Sequence, residues 1–525
     1  EQIVTDSNLT PYKSNIISVI GISMGDEGKG RVVHEVMDEV YRVHGQHVEC
    51  VMKVNGGANA GHTAAGLKLN LLPSGVSNPE VKNLLIGAGV VADPRKFLWE
   101  AKPLEHIGIS VLDRLAIDEK CQVSDVTHRI LDLAWENYRV NQLGEPKRGS
   151  TGRGISPAYS DETGQWQIFY SVFKKDRKIF SKKLREKISR AEDTIKYVCK
   201  VSEESWFEFF KILSEAEKKA NIDSVEKKIF EEEEFLFSPF NTNEPFRFNA
   251  DQIEEAYWHA GQQLCNCIKD GRNLLLSTLD ENKKIVAEFG QAFWLDKRHG
   301  FTPNVTASHT FGGEFFLSGG IPLQEIDQIG CCKAYDTKVG THHFITKMDH
   351  TTDPIGLKLA KLEFGTSTGR QRMVGWFDAV EKGIALRYGG FDQLVINKLD
   401  ALTLPSDIKQ KLKICTAYQL SNGKIIKDVP EDEERRNEIK PIYEEFEGWH
   451  DDLQNLKSFL DFPEQAKRYI FRMITSIIEI AFPNGWTQHP IPNIKFIGVG
   501  PNPRQIIGDI PSTINILEQR DHTIL

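Results

Sequence analysis

Residues 21–33 read GISMGDEGKGRVV and crowd four glycines, two carboxylates and a lysine together. They follow NIISVI, an apolar run that reads as a buried strand. Glycines after a strand let backbone approach a ligand, and successive N–H groups there can cradle phosphate. Lys29 adds a cation suited to phosphate oxygens. The spacing is not that of the common phosphate loop G-x-x-x-x-G-K-[ST]. Ser23 stands where its first glycine belongs, and Gly30 replaces its hydroxyl residue. Asp26 and Glu27 would repel phosphate unless Mg²⁺ intervenes or a carboxylate acts as a base. Taken alone, the loop is also compatible with a plain turn carrying surface charges.

Two further stretches favour chemistry. VNGGANAGHT, residues 54–63, sets His62 between Gly61 and Thr63 with Asn59 nearby. A lone histidine is more often structural, but this one sits in a glycine-rich strand exit where ligands bind. NKLD, Asn397 to Asp400, follows the strand-like QLVI. A carboxylate there can accept from the N1–H and exocyclic amine of guanine, and a lysine stem can cover the purine face.

The elements that must position these residues are legible as strand-like runs: NIISVIGI, VECVMKV, NLLIGAG, KIVAEFG, QLVINKLD, KICTAY and IKFIGVG. Many lead through Gly, Asn or Asp into helical stretches. That alternation predicts an α/β fold with a large, mostly parallel central sheet flanked by helices. Residues 166–285 read instead as a mainly helical insertion, with EEEEF from Glu231 as a solvated charge run. EDEERRNEIKPIYEEFEGWHDDL reads as another charged region of helix and loop.

The chain has 525 residues, 40% hydrophobic and 26% charged, with a net charge of −9. That balance excludes a broad nucleic-acid footprint. No apolar run reaches the ~18 residues of a membrane span, and no basic start with an apolar core marks a signal peptide. Eight cysteines in so long a chain do not form a disulfide scaffold; buried thiols in a reducing cytoplasm are expected.

Ten stretches in order carry a family resemblance: GISMGDEGKGRVV, GGANAGHT, LLPSGV, GAGVVADP, GSTGRGISPAY, AEFGQAFWLD, KAYDTKVG, STGRQRMVGWFD, NKLDAL and GVGPNPR. The chain resembles the adenylosuccinate synthetases, ligases that join aspartate to IMP with GTP hydrolysis. The resemblance implies one P-loop-NTPase-like domain over 1–525, with 166–285 inserted in it. It also implies bound Mg²⁺, the substrates GTP, IMP and L-aspartate, a homodimer, and neither a nucleic-acid nor a membrane partner.

Residue roles follow from the same resemblance. Asp26 would remove the N1 proton of IMP and ligate Mg²⁺ with the Gly61 carbonyl. His62 would donate to the 6-oxygen as it attacks the γ-phosphate, and Gln291 completes the catalytic set. GTP would be held by Gly25, Glu27, Gly28, Lys29, Gly30 and Arg31, by Gly61, His62, Thr63 and Arg372, and around its base by Lys398, Leu399, Asp400, Gly498, Val499 and Gly500. Asp26, Lys29, Asn59, Ala60, Thr151, Gln291, Thr306 and Arg370 would hold IMP. The loop Thr366, Ser367, Thr368, Gly369, Arg370 and Arg372 would close over aspartate, whose carboxylates suit arginine forks.

Departures fall on the acceptor side. Met24 replaces the family's tryptophan. Gln165 stands where the family carries an arginine that reaches the IMP phosphate of a neighbouring subunit, and Lys174, Lys175 and Arg177 are candidates to compensate. The aspartate loop reads Arg370-Gln371-Arg372-Met373, residues 343–347 read HFITK, Lys297 and Arg298 follow FWLD, and VGPNPR is lengthened. Two other readings stay open: the same steps on another purine nucleotide such as GMP or dGMP, and an inactive guanine-nucleotide-binding regulatory protein.

Overall fold

The structure, a computed structural model, describes residues 11–150, 152–340, 342–363 and 371–519. Its centre is a ten-stranded sheet. In chain order the strands are β1 (Ile16–Gly21), β2 (Val48–Lys53), β3 (Asn83–Ile86), β4 (Leu115–Asp118), β5 (Ile268–Lys269), β6 (Lys284–Glu288), β7 (Asp327–Lys333), β8 (Gln393–Asn397), β9 (Asn493–Gly498) and β10 (Ile506–Ile507). Their spatial order is β10-β9-β8-β7-β1-β6-β2-β3-β4-β5. All neighbours are parallel except β9 and β10.

The strands are mostly apolar because both faces of the sheet are covered. Along β1, Ile16 and Ile20 pack into one core with Met52, Ala287 and Ile396. Ile17 and Val19 pack into the other with Val51, Val286 and Val395. On that second face lies α1 (Lys29–His44), through Val32, Val33, Val36 and Val40. It ends at Gly45 in the left-handed conformation, with φ of 65°.

The connections give the site its address. β1 runs between β6 and β7 with its register fixed by Ile16 opposite Ile285 and Ile17 opposite Asp327. In such a sheet the loops beyond the carboxyl ends of neighbouring strands converge where the winding direction reverses. The loops leaving β1, β2, β6, β7 and β8 do so here.

The segment 166–285 holds α-helices over Arg177–Asp193, Glu203–Ala220 and Ala250–Gln263. Aromatic side chains cement them; Trp206 contacts Phe210 and Phe248 in edge-on pairs 5.0 Å apart. The end of the segment returns to the main sheet as edge strand β5 and the helix Gly271–Asp280. Glu231 to Glu234 are exposed while Phe235 beside them is buried. All eight cysteines are free thiols. Among the described residues, no helix is long and apolar enough to cross a membrane.

Two expectations are corrected. KICTAY lies outside the central sheet, in the strand Lys411–Gln419 of a separate four-stranded sheet. Its antiparallel partner is Lys440–Glu447, inside the stretch expected to be helix and loop. That strand is an edge with little of its surface fully buried, so charged residues alternate along it and hide its strand character.

The helices Ala379–Gly389 and Glu464–Ala481 cover the first face and pack tightly on each other at a glycine. A Cβ on Gly383 would lie 2.6 Å from Ile480 Cβ and 2.9 Å from the Ile477 carbonyl oxygen. Gly383→Leu is therefore expected to destabilise the fold by about 1–3 kcal/mol. Urea unfolding followed by circular dichroism measures this; an unchanged midpoint would contradict the close approach.

Candidate active site

Leaving β1, the chain enters a loop with Gly25, Asp26 and Gly28 in the left-handed region, at φ of 98°, 65° and 82°. For Asp26 that conformation is strained. It is held by the neighbouring Glu27, whose side chain folds back under the loop. Gly25 N donates to Glu27 Oε1 at 2.7 Å, and Lys29 Nζ to Glu27 Oε2 at 2.8 Å. Asn397 Nδ2, from the end of β8, donates to the Glu27 carbonyl at 2.8 Å. Gly21 makes room, since a Cβ there would meet Glu27 Oε2 at 2.4 Å. Glu27 is thus an internal clamp, and the phosphate repulsion that its type suggests is cancelled by Lys29. Gly28 caps α1 without a side-chain bond, and the first turn carries no acidic residue. The leading amides of α1 remain available to an anion.

Asp26 sits in a cationic cluster. Its Oδ2 lies 2.9 Å from Arg372 Nε. Burial pushes its carboxyl pKa up, but Lys333, Arg372, Lys398 and Lys29 outweigh burial and hold it below the usual carboxylate range. Asp26 is therefore ionised at neutral pH. Glu363 balances the surplus cations: it lies 2.7 Å from Lys398 Nζ and 3.4 Å from Lys333 Nζ, and accepts from the Tyr335 hydroxyl.

Across the site, His62 is buried and its Nδ1 is bonded to Glu288 Oε1 at the end of β6. Ser74 also holds Glu288, through N at 2.6 Å and Oγ at 2.7 Å. Burial lowers the His62 pKa and the Glu288 charge opposes it, with the balance below the ordinary histidine value. Burial works against ionised Glu288 too, but His62 and Ser74 keep its pKa below the usual range. The imidazole is neutral with its proton on Nδ1 facing Glu288, and a carboxylate stands ready to stabilise a second proton.

A third set surrounds a cavity of about 790 Å³ lined by Asn59, Gln291, Thr306, Ser150 and Ile155 among others. Asn55 organises its floor. It accepts from Gly290 N at 2.9 Å and donates to Ser308 Oγ at 2.9 Å. Tyr159 accepts from Gly56 N at 3.0 Å and donates to the Gly89 carbonyl at 2.6 Å. Gln291 has a φ of 58°, and its Nε2 is buried without a partner. A buried amide N–H₂ left unpaired is costly, which suits it to a ligand oxygen. Asn59 is oriented by the Gly57 amide, 3.1 Å from its Oδ1.

At the β8 exit, Lys398 has a φ of 60°, and Asp400 is bonded only weakly to Gln454 Nε2 at 3.4 Å. Burial raises the Asp400 pKa. Leu399 and Val499 are fully buried and can offer a ligand only backbone. Arg31 donates to the carbonyls of Gly500 at 2.8 Å, Asn502 at 2.9 Å and Gln505 at 3.0 Å. Those bonds occupy the guanidinium in positioning the 498–505 loop.

Thr151 and the stretch Thr366, Ser367, Thr368, Gly369 and Arg370 lie outside the described residues. The supports beside Thr151 are described. Arg129 Nε donates to the Gly152 carbonyl at 2.9 Å. Arg129 and Arg153 both bond Glu217, a fully buried carboxylate on the helix Glu203–Ala220. The candidates to compensate for Gln165 are engaged elsewhere: Lys174 with Glu119 at 3.2 Å, Arg177 with Glu254 at 2.9 Å and Glu255 at 2.8 Å. Lys175 is exposed.

Sequence reasoning missed Glu288, Glu363, Lys333, Asn55 and Glu217, and named Asn397 as the start of NKLD without its bond to the Glu27 carbonyl. Glu288 and Asn397 carried a usable signal, since each polar residue closes an otherwise apolar strand run. Glu217 carried none, being one glutamate among many on an amphipathic helix.

The family profile described as adenylosuccinate synthetase matches residues 18–237 and 218–507. An adenylosuccinate synthetase of Caldanaerobacter subterraneus is 33% identical over 467 residues, covering 87% of this chain and 94% of the relative. One of Acetivibrio thermocellus is 32% identical over 497 residues, covering 93% and 98%. The fully ligated adenylosuccinate synthetase from Plasmodium falciparum superposes with a TM-score of 0.73 at 25% identity, over 94% of this chain and 100% of that one. A cyanophage S-2L succinoaminodeoxyadenylate synthetase, bound to dGMP and dATP, shares the fold at a TM-score of 0.50 and 14% identity, over 96% and 98%.

The His62–Glu288 pair makes a direct prediction. Glu288→Gln removes the charge that opposes burial, so the His62 pKa should fall further below the ordinary histidine value. Imidazole NMR over a pH series measures it; an unchanged or raised value would contradict the pairing.

Proposed function

The chain belongs to the adenylosuccinate synthetase family, a ligase that joins L-aspartate to the 6-position of IMP with hydrolysis of GTP, and we propose the residue roles by which it does so. The reading rests above all on one observation: a half-buried, ionised Asp26 held in strained backbone beside the uncapped amino end of α1.

Asp26 takes the N1 proton of IMP, and the 6-oxygen gains the electrons to attack the γ-phosphorus of GTP. Phosphorylation converts a poor leaving group into a good one, and the amine of aspartate then displaces phosphate. Arg372 leaves Asp26 for ligand anions when the site fills, and the loss of that cation raises the basicity of Asp26 toward a working range. His62 takes up a second proton, on Nε2, as the anionic substrates enter, and with Glu288 stabilising the imidazolium it donates from that nitrogen to the developing negative charge. The amides of Gly28 and Gly30 with Lys29 hold the GTP phosphates. Asp400 reads the guanine edge once Gln454 is displaced, and Lys398 covers the base. Asn59, Gln291 and Thr306, with Thr151, hold IMP. Arg370 and Arg372 clamp aspartate in the loop that begins at Thr366.

The donor set suits Mg²⁺. One ionised carboxylate, Asp26, and the Gly61 carbonyl are what a hard, octahedral cation takes from a protein when phosphates and water supply the rest. Among the described residues, no cluster of three or more His, Cys, Asp or Glu side chains could hold a metal. Bound there, Mg²⁺ would neutralise charge on the β- and γ-phosphate oxygens. A cytoplasmic homodimer belongs to the same reading, supported by the free thiols for the compartment and by family resemblance for the assembly.

The test is turnover with GTP, Mg²⁺, aspartate and either IMP, GMP or dGMP, followed by phosphate release. Product with IMP is expected; product only with a guanine nucleotide would replace the acceptor, and none under any combination would end the ligase reading. Asp26→Asn should lower kcat by about 10²–10⁴-fold while GTP still binds; near-normal turnover would remove Asp26 as the base. Asp400→Asn should weaken GTP binding about 10- to 100-fold, the scale of charge-assisted hydrogen bonds, and leave the weaker binding of ATP little changed. Equal losses for both nucleotides in calorimetry would count against guanine reading.

A further inference from the structure

We propose that Arg190, on the helix Arg177–Asp193, is the cation that binds the 5′-phosphate of the acceptor nucleotide. The proposal rests on the acceptor reading of the 790 Å³ cavity, since Arg190 lines the same cavity as Asn59, Gln291 and Thr306. A mononucleotide phosphate brings close to two negative charges, and none of those three side chains is charged.

Four cations line the cavity, and their commitments differ. Lys187 is buried and bonded to Asp125 Oδ2 at 2.8 Å. Arg148 donates to Glu145 at 3.3 Å. Arg139 and Arg190 each stand near one carboxylate beyond hydrogen-bond length, at 3.8 Å from Glu136 and 3.9 Å from Asp161. Asp161 already accepts from His128 Nε2 at 2.9 Å. Arg190 alone of the pair is pre-positioned, its guanidinium carbon 4.3 Å from the centre of the Trp166 ring. Stacking on an aromatic face holds the guanidinium while its edge N–H donors stay free for a planar, bidentate grip on phosphate. Trp166 directly follows Gln165, the uncharged residue at the position where a cation was expected. The segment 166–285 thereby supplies both the charge and the platform that holds it.

Calorimetric titration of IMP and of inosine, which lacks the phosphate, tests the assignment. Arg190→Ala should weaken IMP binding about 10- to 100-fold, the scale of a lost charge-assisted pair, and leave inosine unchanged. Arg190→Lys should recover part of the loss, and Arg139→Ala should shift IMP by less than about threefold, as expected for a weak, partly exposed pair. The KM for GTP in turnover should stay constant across the series. IMP binding unaffected by Arg190→Ala, an equal loss for inosine, or a loss carried by Arg139→Ala would each overturn Arg190 while leaving the ligase reading intact. Wild-type protein that turns over yet binds IMP no better than inosine would overturn the phosphate site as well.

Discussion

A half-buried carboxylate among four cations organises this active site. Asp26 loses hydration on partial burial, which by itself favours the protonated form. Lys333, Arg372, Lys398 and Lys29 reverse that outcome. The same four cations would repel one another without Glu363, which touches Lys333 and Lys398. The site is thus a balanced arrangement of charge in a poorly hydrated place, where each member depends on the others. On the proposed reading, anionic substrates entering it would exchange existing partners for new ones, so that their binding redistributes charge around Asp26 instead of adding charge to a neutral surface.

Behind the residues that face the ligands stands a layer of buried carboxylates, each tying one loop to the frame. Glu27 clamps the loop after β1 from beneath. Glu288 joins His62 to Ser74. Asp296 accepts from the amides of Arg298, His299 and Thr310 at 2.9–3.0 Å and shapes the turn before Thr306. Asp336 receives both short bonds from Lys382, at 2.7 Å each, and one from Ser23 Oγ at 3.2 Å. An ionised group fully satisfied in low dielectric fixes geometry more sharply than an apolar contact can, because any misalignment leaves a charge unpaired. That rigidity is what phosphoryl transfer asks of a protein, since the chemistry is mostly positioning and charge stabilisation.

The helical segment 166–285 belongs to this arrangement. Glu217 anchors Arg129 and Arg153, and Arg129 in turn holds the Gly152 carbonyl. Removing one partner from such a buried group typically costs about 3–5 kcal/mol, so the segment and the loop beside Thr151 are bound into one unit. Its helix Arg177–Asp193 forms part of the wall of the 790 Å³ cavity.

The strand-exit loops of the central sheet were legible in the sequence. GISMGDEGKGRVV, VNGGANAGHT and NKLD each use short-range chemistry, glycines and polar groups at a strand exit, and the strands before them are mostly apolar runs. Six of the seven runs named as strands lie in the central sheet, and the seventh, KICTAY, was misplaced because strand character does not reveal which sheet a strand joins. Local spacing suggested that Asp26, Glu27 and Lys29 face phosphate together. Tertiary structure turned Glu27 inward against Gly21 and Lys29, and diverted Arg31 to the 498–505 loop. It also joined Glu288 to His62 over 226 residues and Glu217 to Arg129 over 88, and set Glu363 among the cations of Asp26, 337 residues before it.

 Separations of that size leave no periodicity in a sequence. Whether a buried carboxylate meets a cation, a hydroxyl or a ligand is decided only when the folded chain sets its surroundings. The sequence by itself determined which groups were available and on which strand exits they stood. The tertiary structure decided which of them face the ligands and which hold the others in place, because charge pairing in a buried site depends on distances through space and not along the chain.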